Sequence, residues 1–251
     1  MRKELTGNDH FSRQAEGYSQ YRPAYPQELI DFLLDHVVGQ ETLWDAGTGN
    51  GQLARQLAPG FTQVYATDHS AQQLRFAQGP KHVAFIHCPS ENTTLADSSV
   101  DLVTIAQAIH WFDLPAFYRE VRRVAKPNAK IAALGYGSLQ ITGLEEVLLS
   151  FHRKTFGEFL SRERQHVDEH YRNLDFPFAE VPSPEFSQSF EWGMDILEGY
   201  FNTWSSVQKY IQKYGVNPVD SLMVEIKEIL QKAPKVGVTF PYFIRLGTIN
   251  P

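Results

Sequence analysis

The sequence predicts an α/β fold built on a mostly parallel sheet with helices on both faces, and three observations carry that expectation. Strand-like and helix-like segments alternate from residue 42 to residue 135, the pattern of successive βαβ units. The stretch from Val100 to Ala106 is almost continuously apolar, as a strand covered on both faces requires. At 251 residues, with 42% hydrophobic and 21% charged, the chain has the length and composition of a packed globular protein.

The elements follow in order. Phe11 to Gly39 opens with aromatics (Phe11, Tyr18, Tyr21, Tyr25) and a Pro23/Pro26 turn, after which Glu28 to Asp35 has the periodicity of an amphipathic helix. Residues 1–40 therefore read as a lid segment and helix. Residues 41–137 read as the core. They hold strand Thr42 to Ala46, helix Gly51 to Leu57, strand Gln63 to Thr67, helix Ala71 to Gln78, strands Val83 to His87 and Val100 to Ala106, helix Leu114 to Val124 and strand Lys130 to Gly135. Residues 138–182 change to helical periodicity rich in His, Arg and aromatics, and read as a helical cap. Residues 183–251 complete the core with a strand at Phe186 to Trp192, helices Ile196 to Gln212 and Asp220 to Lys232, and a last strand, Gly237 to Thr248, in which Pro241 marks an edge or a bulge.

Charge and cysteine content exclude several classes. The formal net charge is −6 and no block of five Lys or Arg occurs, which argues against a nucleic-acid or anionic-membrane partner. Cys88 is the sole cysteine, so there is no intramolecular disulfide and no multi-cysteine zinc site; a lone thiol of this kind reads as a small buried apolar residue. His166 and His170 lie four apart without an H-E-x-x-H pattern, and no metal is expected. The first twenty residues lack an apolar signal region, and no stretch nears eighteen consecutive apolar residues, so a cytoplasmic protein is expected.

The segment Asp45-Ala-Gly47-Thr-Gly49-Asn-Gly51 sits where the first strand ends and the first helix begins. In open α/β sheets this turn is the usual ligand cradle, because glycines admit the ligand to the backbone and a helix N-terminus offers amide donors. The glycines run G-x-G-x-G, and position 52 is Gln52 where a dinucleotide fold wants its third glycine. Asp45 would repel a pyrophosphate but suits an ammonium. S-adenosylmethionine, with an ammonium, a sulfonium and no phosphate, is therefore favoured over NAD. Asp68, at the end of the second strand and followed by His69, is placed to accept the ribose hydroxyls, although it would also serve as a helix N-cap.

Together with these, Ser90-Glu91, Asp97-Ser-Ser-Val-Asp101 and Gln107-Ala-Ile-His110-Trp111-Phe-Asp113 make the chain resemble a small-molecule class I methyltransferase, similar in particular to the trans-aconitate methyltransferase group. The opening Phe11…Tyr18…Tyr21-Arg-Pro-Ala-Tyr-Pro26 and the late Thr203-Trp-Ser205 extend the likeness over most of the chain. The resemblance implies a Rossmann-like fold with a mostly parallel seven-stranded sheet. It places Asp45, Gly47, Gly49 and Gly51 near the methionine part, Asp68 at the ribose, Ser90 and Glu91 at the adenine, and Gln107 and Ala108 at the methionine moiety and sulfonium. Relatives commonly carry an acid and a small residue before the glutamate, where this chain has Cys88-Pro89-Ser90.

The methyl acceptor should approach at Gln107 to Phe112. His110 is a candidate general base, or else it shapes the pocket with Trp111, since a carboxylate acceptor is already ionised and needs only in-line positioning. Tyr18, Tyr21, Arg22, Tyr136 and Trp204 are candidate acceptor contacts, Arg22 through a bidentate pair with a carboxylate. The function read from these features is O-methylation of a small carboxylic acid, with S-adenosylhomocysteine as product. N- or C-methylation of another metabolite and a non-catalytic S-adenosylmethionine-binding role are the alternatives.

Overall fold

The computed structural model describes residues 21–157, 159, 164–231 and 233–249. The elements are α1 (Gln27–Asp35), β1 (Thr42–Ala46), α2 (Gln52–Leu57), β2 (Gln63–Asp68), α3 (Ala71–Leu74), β3 (Val83–His87), β4 (Val100–Ala106), α4 (Leu114–Val124), β5 (Ala125–Tyr136), α5 (Glu145–Phe156), α6 (Arg164–Asp168), β6 (Ala179–Val181), β7 (Phe186–Gly193), α7 (Met194–Asn202), α8 (Ser205–Tyr214), α9 (Pro218–Ile229) and β8 (Lys235–Thr248). They fall into two compact units. The larger takes the described parts of 24–137, 163–187 and 241–251, and the smaller those of 1–23, 138–162 and 188–240.

In the larger unit the sheet order is β3-β2-β1-β4-β5-β8-β6. The first five strands are parallel neighbours, and β8 runs antiparallel to both β5 and β6. β7 also pairs with β8. The order reverses at β1, which has β2 on one side and β4 on the other, so the carboxyl ends of β1 and β4 form the switch point where open α/β sheets bind ligands. Strand β4 is buried along Val100–Ile105, as its apolar run requires. Trp44 of β1 is fully buried, with its ring centroid 5.7 Å from that of Phe117 in α4. Helix α4 starts where the Asp113 side chain accepts from Ala116 N–H at 3.2 Å, and it buries Phe117, Tyr118, Val121 and Val124 on one face. In α1, Leu29, Ile30 and Leu33 are the buried residues.

The smaller unit collects α5, α7, α8 and α9 with most of β7 and the first part of β8. Its core includes Phe151, Leu197, Phe201, Val207, Val219, Leu222, Ile226, Val238 and Phe240. The rings of Trp192 and Tyr200 meet that of Phe240 at 5.5 and 5.4 Å.

The structure departs from the sequence reading in several places. Helix α3 stops at Leu74 instead of Gln78, because it buries none of its residues and has only one turn to sustain it. Strand β5 begins at Ala125, five residues early, passing Asn128 at φ +62° and shifting register against β4 between Val100 and Leu102. The segment 138–182, read as a helical cap, ends in strand β6, and its described parts divide between the two units. The helix expected over 196–212 is two helices: the Thr203 hydroxyl caps Tyr200 O at 2.6 Å, and Trp204 turns extended to start α8. Helix α9 begins at Pro218, where Asn217 accepts from Val219 N–H at 3.1 Å.

Candidate functional site

The glycine loop leaves β1 at the switch point. Gly47 has φ +68°, and a Cβ there would lie 2.7 Å from Ala108 Cβ and 3.1 Å from Phe112 Cζ, so the loop can lie against the turn after β4 only with a glycine at this position. Gly49, at φ +58°, has no atom of the described residues within 4 Å of where a Cβ would be. Its N–H donates to Asp68 Oδ2 at 2.8 Å, while Asp68 Oδ1 accepts from Ser70 N–H at 2.8 Å. Asp68 thus ties the end of β2 to the loop, and it is 6% exposed. The neighbouring His69 ring is mostly in solvent, with Nδ1 3.6 Å from Asp68 Oδ1.

Asp45 is turned inward. Its register partner on β4 is Thr104, whose hydroxyl donates to Oδ1 at 2.7 Å, and Thr48 of the loop donates to Oδ2 at 2.5 Å. Burial pushes its carboxyl up to about 6, opposed by the two hydroxyls and assisted by the nearby charge of Asp68.

Beyond β3, Ser90 is buried, and Glu91 Oε1 accepts from Asp113 N–H at 3.1 Å. At the end of β4, Gln107 has φ +55°, a conformation rare for a side chain of its size. Two bonds hold it to the end of β5: its N–H donates to Leu134 O at 2.9 Å, and its side-chain Nε2 to Tyr136 O at 2.9 Å. Ala108 follows against the glycine loop, and a single 3₁₀ turn over Ile109–Trp111 presents His110 and Trp111. His110 Nδ1 lies 3.2 Å from the Tyr171 hydroxyl, and Trp111 is 61% exposed. Tyr136 is buried, 5.7 Å from the Tyr242 ring and 6.4 Å from that of Tyr25.

The expected donor residues Asp45, Gly47, Gly49, Gly51, Asp68, His69, Ser90, Glu91, Gln107 and Ala108 are thereby gathered at the carboxyl ends of β1 to β4 in the larger unit, beside His110 and Trp111. Tyr21, Arg22 and Trp204 belong to the smaller unit. There the Arg22 guanidinium lies 5.2 Å over the Tyr200 ring and reaches Thr203 O at 3.5 Å, and Trp204 packs 5.2 Å from Phe201. Tyr18 lies outside the described residues.

Residues 44–133 match a methyltransferase-domain family. A protein of Dictyostelium discoideum described as a methyltransferase is 30% identical over 253 aligned positions, covering 96% of this chain and 95% of that one. The solved structure of a protein from Anaeromyxobacter dehalogenans, described as a type II methyltransferase, superposes with a TM-score of 0.85 at 34% identity, covering 92% of this chain and 99% of the other. The chain belongs to the class I S-adenosylmethionine-dependent methyltransferases. A Saccharomyces cerevisiae protein described as an S-adenosylmethionine-dependent methyltransferase is a further relative, 27% identical over 54% of this methyltransferase and 50% of its own length. Among the described residues of the methyltransferase no helix is long and apolar enough to cross a membrane, and no three His, Cys, Asp or Glu side chains are grouped to hold a metal ion.

Four residues shape this end of the methyltransferase's sheet through contacts that the sequence does not state. Thr104 becomes visible as a partner of Asp45 only once β1 and β4 are known to be neighbours in register. Thr48 stands inside the motif, and its bond to Asp45 depends on how the loop folds back. Phe112 packs under Gly47, and Tyr171 comes from 61 residues away to meet His110, a distance across which the sequence carries no signal.

Proposed function

We propose that this methyltransferase O-methylates a small carboxylic acid, as the trans-aconitate methyltransferase group it resembles does. The observation that carries the proposal is the convergence at one switch point of the glycine loop, two buried acids and the His110–Trp111 turn. The space that the described residues leave at Gly49 and the two carboxylates fit an adenosyl sulfonium with a free amino group: an ammonium beside Asp45 would offset the burial that pushes its carboxyl up to about 6. S-adenosylmethionine supplies an electrophilic methyl on sulfur.

In this reading Asp68 takes the ribose hydroxyls with lone pairs left over from its two backbone bonds. Ser90 and Glu91 border the adenine. Gln107, braced against Tyr136 O, sets the floor at the reacting centre. His110 and the exposed face of Trp111 line the approach of the acceptor. These residues would hold an acceptor carboxylate against the donor's methyl and shield the two opposite charges from water. No proton needs to leave a carboxylate acceptor.

The test is a panel of di- and tricarboxylic acids, trans-aconitate included, assayed for S-adenosylhomocysteine release, with product treated in mild alkali. A methyl ester is expected, recognised by its hydrolysis to methanol. An alkali-stable product would mean N- or C-methylation, and donor binding without turnover on any acceptor would mean a protein that binds the donor without catalysis.

A further inference from the structure

Tyr171, the one tyrosine of residues 138–182, follows α6. Its side chain is 1% exposed, and its hydroxyl makes one hydrogen bond among the described residues, to His110 Nδ1 at 3.2 Å. The backbone that delivers it is unusual: His170 and Tyr171 stand consecutively in the left-handed region, at φ +55° and +60°, where residues with large side chains are rare. The surroundings hold this conformation in place. Arg245 Nη1 donates to Tyr171 O at 2.7 Å and to Leu174 O at 2.9 Å, while Arg245 is itself paired with Glu180. The His170 ring stacks on Phe243 at 4.7 Å, and the Tyr171 ring meets the same Phe243 edge-on at 5.1 Å.

The bond between Tyr171 and His110 allows two arrangements. Either the phenol donates to Nδ1 and the imidazole proton sits on Nε2, or Nδ1–H donates to the phenol oxygen and the buried O–H has no acceptor among the described residues. An O–H withdrawn from water without an acceptor is costly, and buried polar groups are almost always paired. Burial also pushes the Tyr171 phenol well above its ordinary ionisation range, so it keeps the proton it donates.

We infer that Tyr171 is a positioning residue that holds His110 as the neutral Nε2–H tautomer, so that at the end of β4 this imidazole offers a donor and not a proton acceptor. The inference rests on the reading above, in which His110 lines the approach of the methyl acceptor, and it narrows that acceptor. Whatever Nε2 meets, it meets as a donor. A ring with Nδ1 engaged and Nε2 protonated does not deprotonate an alcohol, amine or carbon acid, whereas it can hydrogen-bond a carboxylate that arrives ionised. In the transfer the carboxylate oxygen forms the bond to the methyl carbon, the carbon–sulfur bond breaks with its electron pair going to sulfur, and no proton moves. His110 keeps its Nε2 proton throughout.

The test is nitrogen-15 NMR of the full chain with S-adenosylhomocysteine at neutral pH. Expected are a protonated Nε2 and a pyridine-like Nδ1 on His110, with the slowly exchanging Tyr171 hydroxyl proton coupled to Nδ1 across the hydrogen bond and lost in Tyr171→Phe. A proton bonded directly to His110 Nδ1 would overturn the assignment. Should the variant fail to fold, the wild-type spectrum decides alone. This readout uses no methyl acceptor. An Nε2–H tautomer together with no methylation of any carboxylic acid would retire the proposed substrate class while upholding the Tyr171–His110 pair.

Discussion

Asp45 and Asp68 end neighbouring strands and are both buried, yet their oxygens are engaged differently. Asp68 takes two backbone N–H groups, whereas Asp45 takes two hydroxyls and its carboxyl is pushed up to about 6. The sign follows from burial: the folded chain binds this proton more tightly than the unfolded chain, so Asp45 weakens the free fold as pH rises through about 6. Between pH 7 and pH 5 the wild type should gain roughly 1 kcal/mol relative to Asp45→Asn, read from denaturant midpoints at each pH. Binding should respond in the opposite direction. An ammonium favours the ionised acid, so affinity for S-adenosylmethionine should fall as pH drops below about 6, and calorimetry in buffers of different ionisation enthalpy should detect proton release there.

The glycines separate stability from binding at the same scale. A methyl at Gly47 strikes Ala108 and Phe112, so Gly47→Ala should lower the melting temperature. A methyl at Gly49 meets no atom of the described residues and should cost only the left-handed backbone, about 1–2 kcal/mol, while intruding on the place proposed for the ligand. Comparing each variant's thermal unfolding with its affinity for S-adenosylhomocysteine separates the two effects, and a Gly49→Ala protein that binds normally would remove the loop from the site. Both glycines and Asp45 were legible as a motif, because their spacing is local, and Asp68 by its place at the end of the second strand. The inward turn of Asp45 was not, since it depends on Thr104 being a neighbour in register on a strand 59 residues away.

At the scale of elements, the strands of the core were legible almost to the residue, since β1, β3 and β4 are apolar runs bounded by turn residues. The breaks that chain chemistry hides were not. Lys126-Pro-Asn128 precedes the expected start of the strand yet belongs to β5, and Thr203 ends a helix whose apolar periodicity continues past it. Helix α4 holds an acid that its amphipathic pattern does not explain. Glu120 is 7% exposed, accepts from Thr93 N–H and Oγ1 at 2.7 and 2.6 Å, and pairs with Arg123, which also reaches Asp97. It anchors the 93–97 segment to α4. Glu120→Ala leaves those buried donors without an acceptor and should cost about 2–3 kcal/mol in urea unfolding; a loss below about 0.5 kcal/mol would mean that water replaces it freely.

At the scale of the whole molecule, the reversal of strand order at β1 explains why residues scattered from Asp45 to His110 meet at one end of the sheet. Helix and strand periodicity announced the fold class, and the alternation of elements announced the parallel sheet. The division into two units did not follow from sequence, because β7 and β8 run through both and no linker composition marks the change.

The central claim is that this switch point, with Asp68 at its edge, binds the adenosyl donor. Calorimetric titration of the wild type and of Asp68→Asn with S-adenosylhomocysteine, and of the wild type with NAD, tests it most directly. Saturable binding of S-adenosylhomocysteine by the wild type, none of NAD, and at least a tenfold loss in Asp68→Asn (about 1.4 kcal/mol) are expected. Unchanged affinity in Asp68→Asn, or binding of NAD alone, would contradict the account.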